Sequence, residues 1–105
     1  MNENYERSVA AEDQEGKDLE KMEVGATLEA TTESGRTYII EKRTDGFYIS
    51  GHPRYCPEPT KAEIGSRVGN EMIRPNFIGN GAHLEFTIEG ETPVITTDIK
   101  EVKER

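Results

Sequence analysis

RTYIIEKRTDGFYISG, residues 36–51, sets two runs of β-branched and aromatic residues on either side of Thr44-Asp45-Gly46. Asp-Gly between such runs is the strongest short-range signal for a β-hairpin. Both central residues of a tight type I′ turn need positive φ, and Asp followed by Gly tolerates that best. The reading is therefore two strands, Thr37 to Arg43 and Phe47 to Gly51, joined at Asp45-Gly46. Tyr38, Ile39 and Ile40 are consecutive, which suits a strand flanked on both sides.

The pattern continues outward in both directions. Ala26 to Thr32 alternates, with Leu28 and Ala30 facing in and Glu29 and Thr31 out, and Glu33-Ser34-Gly35-Arg36 turns the chain. Downstream, Lys61 to Gly69 alternates weakly around Ile64 and Val68, and Gly65 suggests a bulge. Glu71 to Ile78 is interrupted by Pro75 and reads as two short pieces or an edge strand. After Gly79-Asn80-Gly81, Leu84, Phe86 and Ile88 alternate with His83, Glu85 and Thr87, as in a strand with one wet face. Pro93 to Thr97 follows the turn at Glu89–Thr92. Residues 98–102 continue as extended chain, with Ile99 and the opposite-parity Val102 reconciled by a kink; a helical turn capped by Asp98 is the alternative. Five to seven short strands at this spacing, with no convincing helix, predict an all-β fold: a small antiparallel barrel or sandwich of SH3-like or OB-like size.

The 105 residues suffice for one domain. Charged and hydrophobic residues each make up 32% of the chain, and the net charge is −8. Residues 1–24 hold eight acids against Arg7, Lys17 and Lys21, whereas residues 25–105 hold thirteen acids against ten bases. The head has few apolar anchors with which to offset an ordering cost of about 1–2 kcal/mol per residue. Residues 1–23 are accordingly expected to be a disordered acidic tail, and residues 24–105 a single small β domain. Asp18 to Glu23 is expected to form at most one helical turn, with Leu19 and Met22 on one face and Gly25 as the stop. No run reaches the ~18 apolar residues of a membrane span, and no secretion signal opens the chain. With Cys56 alone, no internal disulfide is possible. A cytoplasmic protein with no membrane partner is expected.

No stretch carries a catalytic or cofactor signature. His52, Cys56 and His83 are the soft metal-ligand candidates, but a structural zinc site wants four ligands paired at close spacing. Cys56 beside His52 lacks an orienting third group for nucleophilic chemistry, and Pro53 stiffens the connection. No enzyme activity, cofactor or metal is expected. The loop His52 to Thr60 (HPRYCPEPT) is long and proline-rich, and such loops on rigid domains often carry function. It offers Arg54 and Tyr55, residue types enriched at binding hot spots. The reading is a non-catalytic module that binds a protein or peptide, or associates with itself, through this loop and an edge strand near Glu71–Ile78. The candidate contact residues are Tyr48, Arg54, Tyr55, Lys61, Arg67 and Arg74. The alternative is a single-stranded nucleic-acid binder using the basic and aromatic residues of 42–74, which also include Lys42 and Arg43 and are net +2. The acidic balance of the whole chain weighs against it.

Overall fold

The computed structural model describes residues 16–105. Six antiparallel strands form a ring: β2 (Thr27–Thr32), β3 (Thr37–Arg43), β4 (Gly46–Ser50), β5 (Thr60–Arg67), β8 (His83–Ile88) and β9 (Val94–Glu104). Around the ring the order is β4-β3-β2-β9-β8-β5, and β4 pairs with β5 to close it. The fold is all-β, as the alternation predicts, and the sheet is a closed barrel. Closure pairs every ring strand on both sides over part of its length and leaves only short stretches, the start of β9 among them, open at an edge.

The hairpin at residues 36–51 forms, but it turns one residue early. Arg43 pairs with Gly46, so Thr44 and Asp45 are the central residues. Among the described residues the single non-glycine with positive φ is Asn76, so the expected type I′ turn is not made. Gly46, with φ of 142°, instead starts β4. Asp45 is held by its side chain: it accepts a hydrogen bond from Tyr48 Oη at 2.9 Å and faces Lys61 Nζ at 3.6 Å.

The interior follows the alternation. Leu28, Ala30, Tyr38, Ile40, Ile49, Ala62, Ile64, Leu84, Phe86 and Ile99 are buried in one cluster. Residues 98–102 are strand, and a register shift between β2 and β9 supplies the kink. Thr31 pairs with Glu101 but Thr32 with Ile99, so one residue is skipped and both Ile99 and Val102 turn to the core. Glu85, expected to face water, is only 7% exposed, because Arg67 lies over it with Nη2 at 2.8 Å from its carboxylate.

The tail boundary at residue 23 is not where the ordered chain begins. β1 (Gly16–Asp18) pairs with β7 (Phe77–Gly79), and a single 3₁₀ turn follows at Leu19–Lys21. Leu19 is fully buried and Met22 nearly so. Asp18 caps the turn by accepting from Glu20 N, and Leu19 N donates to the Asn76 carbonyl. Lys42 Nζ donates to the carbonyls of Glu20 and Met22. Two apolar side chains are thus enough to dock an otherwise acidic segment, because a preformed barrel end receives them. The expectation of disorder over residues 1–15 lies outside the described residues. The Glu71–Ile78 segment divides as expected, into β6 (Arg74–Pro75) on the flank of β5 and β7 against β1.

Chain direction fixes the two ends of the barrel. At one end β2 starts and β3 and β9 finish; there Leu19, Met22 and Ile78 join the core. At the other end β2 finishes, β3 starts, β4 runs into the His52 loop and β9 begins. Replacing Leu19 by Ala should lower stability by about 2–5 kcal/mol, the usual cost of emptying a buried leucine site. Chemical denaturation of the full chain measures this; a change within about 0.5 kcal/mol would place the segment outside the cooperative unit.

Candidate functional site

The end of the barrel opposite Leu19 carries an open groove of about 430 Å³. Its walls are Ser34, Arg36 and Tyr38 on one side, His52 and Tyr55 from the loop, and Thr92–Thr97 on the other. The groove exists because β9 leaves β2 early. β2 pairs with β9 only as far as Ile99, and Glu33 N still donates to the Asp98 carbonyl. Beyond that, Val94–Thr96 keeps β8 on one side and, among the described residues, has no strand on the other.

A second bulge shapes this wall. His83 pairs with Asp98 but Glu85 with Ile95, so β9 gains one residue. Two threonine hydroxyls stand in for the missing ladder groups. Thr96 Oγ1 accepts from Leu84 N at 3.1 Å and donates to the Thr97 carbonyl, while Thr97 Oγ1 accepts from Ser34 N at 3.2 Å. His83 Nδ1 lies 2.8 Å from the Thr96 carbonyl, to which it donates, and 3.2 Å from Asp98 Oδ1. Ile95, at the centre of the wall, is 54% exposed.

The loop wall is tied down by its own backbone. Gly51 N and His52 N both donate to the Cys56 carbonyl, and Cys56 N returns a bond to the His52 carbonyl. Gly51 has φ of 115°, and a Cβ there would collide with the Thr37 carbonyl oxygen. The tie buries Cys56 completely. Burial pushes its thiol up, only partly offset by the His52 backbone and by Arg36, which disfavours the thiolate. His52 Nδ1 accepts from the backbone N–H groups of Arg54 (3.1 Å) and Tyr55 (3.4 Å). Two donors aimed at Nδ1 require the neutral ring with its proton on Nε2. Its pKa is held below the ordinary histidine value by desolvation first, then by the Arg36 and Arg54 charges. The ring packs on Tyr55 at 4.6 Å between centroids, and Tyr38 packs on Phe86 at 5.7 Å.

The six residues singled out in the sequence do not converge. Arg54 and Tyr55 belong to the groove end, where the Arg54 guanidinium lies 5.6 Å from the Tyr55 ring. Tyr48 and Lys61 face each other across the β4–β5 seam, and Arg43 stacks on Tyr48 at 4.0 Å. Arg67 is paired with Glu85, and Arg74 stacks on Phe77 at 3.8 Å. Along the outer face of β5, Lys61 and Arg67 alternate with the exposed Glu63, so the wall is mixed in sign. Arg36, Tyr38, Ile95, Thr96 and Thr97 were not anticipated. Arg36 reads as a turn residue and Tyr38 as core; the Thr-Thr pair was the signal that the last strand is bulged. Among the described residues no three His, Cys, Asp or Glu side chains are grouped to hold a metal ion.

No family model, curated protein or solved structure matches the chain.

The loop geometry has a pH signature. In the unfolded chain His52 protonates near 6.5, whereas in the fold its pKa is depressed. His52 therefore contributes no instability above that value, and a penalty grows as pH falls through 6.5 toward the folded pKa. Protonation at Nδ1 also breaks the two bonds from Arg54 and Tyr55. A histidine NMR titration should give His52 the midpoint below 6.5, with the amides of Arg54 and Tyr55 moving in step. Gly51→Ala should destabilise the fold by more than about 1 kcal/mol, read by denaturation, because strain and collision act together.

Proposed function

We propose that this chain is a non-catalytic binding module whose groove at the barrel end holds an extended peptide or protein segment. The observation that supports this most is the edge of β9 at Val94–Thr96, bordered by the exposed Ile95 and by Tyr55, which is 39% exposed. A strand paired along one side turns alternate N–H and C=O groups to the other, and an incoming extended chain satisfies them. Tyr55 and Ile95 supply apolar contact on either bank, and the loop that carries Tyr55 is braced by backbone bonds, so little ordering cost is left for binding.

The contact edge in this reading is β9 rather than Glu71–Ile78. β7, which begins inside that segment, is already covered by β1, and Arg74–Pro75 is short and interrupted by proline. Self-association through the same β9 edge belongs to the same class of contact. A cytoplasmic setting is part of the proposal, in keeping with one unpaired, buried cysteine; among the described residues no helix is long and apolar enough to cross a membrane.

The test is a nitrogen–proton NMR titration of the full chain with a pool of random decapeptides. Amide shifts should cluster at Ser34–Tyr38, His52–Tyr55 and Thr92–Thr97. Tyr55→Ala should weaken binding about five- to tenfold, the range for losing a moderate hot-spot aromatic. A single-stranded oligothymidylate that shifts Tyr48, Lys61 and Arg67, with no peptide response at the groove, would replace this reading by the nucleic-acid one.

A further inference from the structure

Three hydrogen-bond donors at the groove are left over after the fold has used its own. The Arg36 guanidinium makes no ion pair or side-chain hydrogen bond among the described residues, although the chain carries 21 Asp and Glu. Tyr38 is almost wholly enclosed, 3% exposed, yet it lines the groove, and its hydroxyl makes no hydrogen bond among the described residues. Burial raises its pKa, so it stays a neutral donor. His52 keeps its proton on Nε2, as its two Nδ1 bonds require. No Asp or Glu is among the groove-lining residues. Arg54, in the loop beside His52, likewise has no carboxylate partner among the described residues, its guanidinium resting against Tyr55.

From this juxtaposition we infer that the groove selects an acidic extended peptide: a carboxylate of the incoming segment sits between Arg36, Tyr38 and His52 while its main chain pairs with Val94–Thr96. The inference rests on the binding-module reading and names its ligand class. Arginine presents a planar fork that matches a carboxylate in two parallel bonds, and a phenol and an imidazole N–H complete the shell of an anion. A carboxylate on a peptide is favoured over the phosphates of a nucleic acid for two reasons. A nucleic acid has no main-chain groups in register with a strand edge. Its many charges would also meet the −8 of the whole chain, where a single carboxylate meets the local field alone. Arg36 is thereby the specificity-determining residue, and the hydroxyl of Tyr38 assists it.

Selection of a random decapeptide phage library on the full chain tests this, followed by synthesis of an enriched peptide in three forms: as selected, with Gln for Glu and Asn for Asp, and with an amidated C-terminus. Acidic residues should be enriched at one position, and the neutral form should bind about tenfold more weakly. Arg36→Gln should abolish that difference, and Tyr38→Phe should reduce it, both with the unfolding midpoint unchanged. Loss of affinity on amidation alone would identify the terminal carboxylate as the group read, which upholds the inference; loss on side-chain neutralisation upholds it as well. Enriched peptides that shift the groove amides but carry no acidic preference would overturn the carboxylate inference and leave the binding-module reading standing. Absence of any peptide that shifts those amides would overturn both. Oligothymidylate bound in an Arg36-dependent way, or a dimer of the chain that Arg36→Gln dissociates without peptide present, would overturn it in favour of those occupants.

Discussion

The barrel is shut by a ladder two residues long. β4 and β5 meet only at Tyr48–Lys61 and Ile49–Thr60, whereas β5 pairs with β8 over six positions. Everything enclosed depends on that seam. On its inner side Ile49 is fully buried among the core residues. On its outer side Arg43, Tyr48, Asp45 and Lys61 form one cluster of stacked and hydrogen-bonded groups. Exposed ion pairs are worth little singly. Their use here is geometric: they hold β4 beside the first residues of β5, just where the two strands part.

The seam is short because β5 serves two neighbours in turn. Past Lys61 its edge leaves β4 and receives β6 and Asn76, whose N–H donates to the Ile64 carbonyl. That transfer brings β7 round to meet β1, and so places Leu19 and Met22 over one end of the barrel. Among the described residues the other end has no such cover. There the bulge at Thr96–Thr97 sends the start of β9 away from β2, and the His52 loop stands opposite. Among the described residues the fold is therefore unequal at its two ends: the apolar plug comes from the side where β9 ends.

The alternation of apolar residues made the strands legible: Leu28 and Ala30, Leu84 and Phe86 face the core as their parity requires. Ile39, in a run that suggested a strand flanked on both sides, is only half-buried between the buried Tyr38 and Ile40. The parity break between Ile99 and Val102 favoured a kinked strand over a helical turn, and the register shift between β2 and β9 supplies the kink. Three things were not legible. The turn at Thr44-Asp45 overrides the Asp-Gly preference because Asp45 has side-chain partners from Tyr48 and Lys61, and those are tertiary. The docking of Leu19 and Met22 was hidden because two apolar residues in an acidic stretch cannot order themselves, and only the barrel end makes them worth burying. The groove was missed because its donors lie in three separate segments, around residues 36, 52 and 96. Loop composition pointed to Arg54 and Tyr55, which are indeed at that end, but nothing local distinguished Arg36 from an ordinary turn residue.

Tyr38 shows how the core and the groove are joined. Its ring fills the volume beside Phe86, and a phenylalanine would fill it equally well without a polar atom to remove from water. The Tyr38 hydroxyl makes no hydrogen bond among the described residues and is not a sealed-off buried polar atom, so the fold carries it at little cost and leaves it available to a ligand. Tyr38 and Arg36 both line the groove, and among the described residues the Arg36 guanidinium has no carboxylate partner. Two donors without protein partners among the described residues, placed together along one groove, make sense as parts of a surface completed by something that brings negative charge to it.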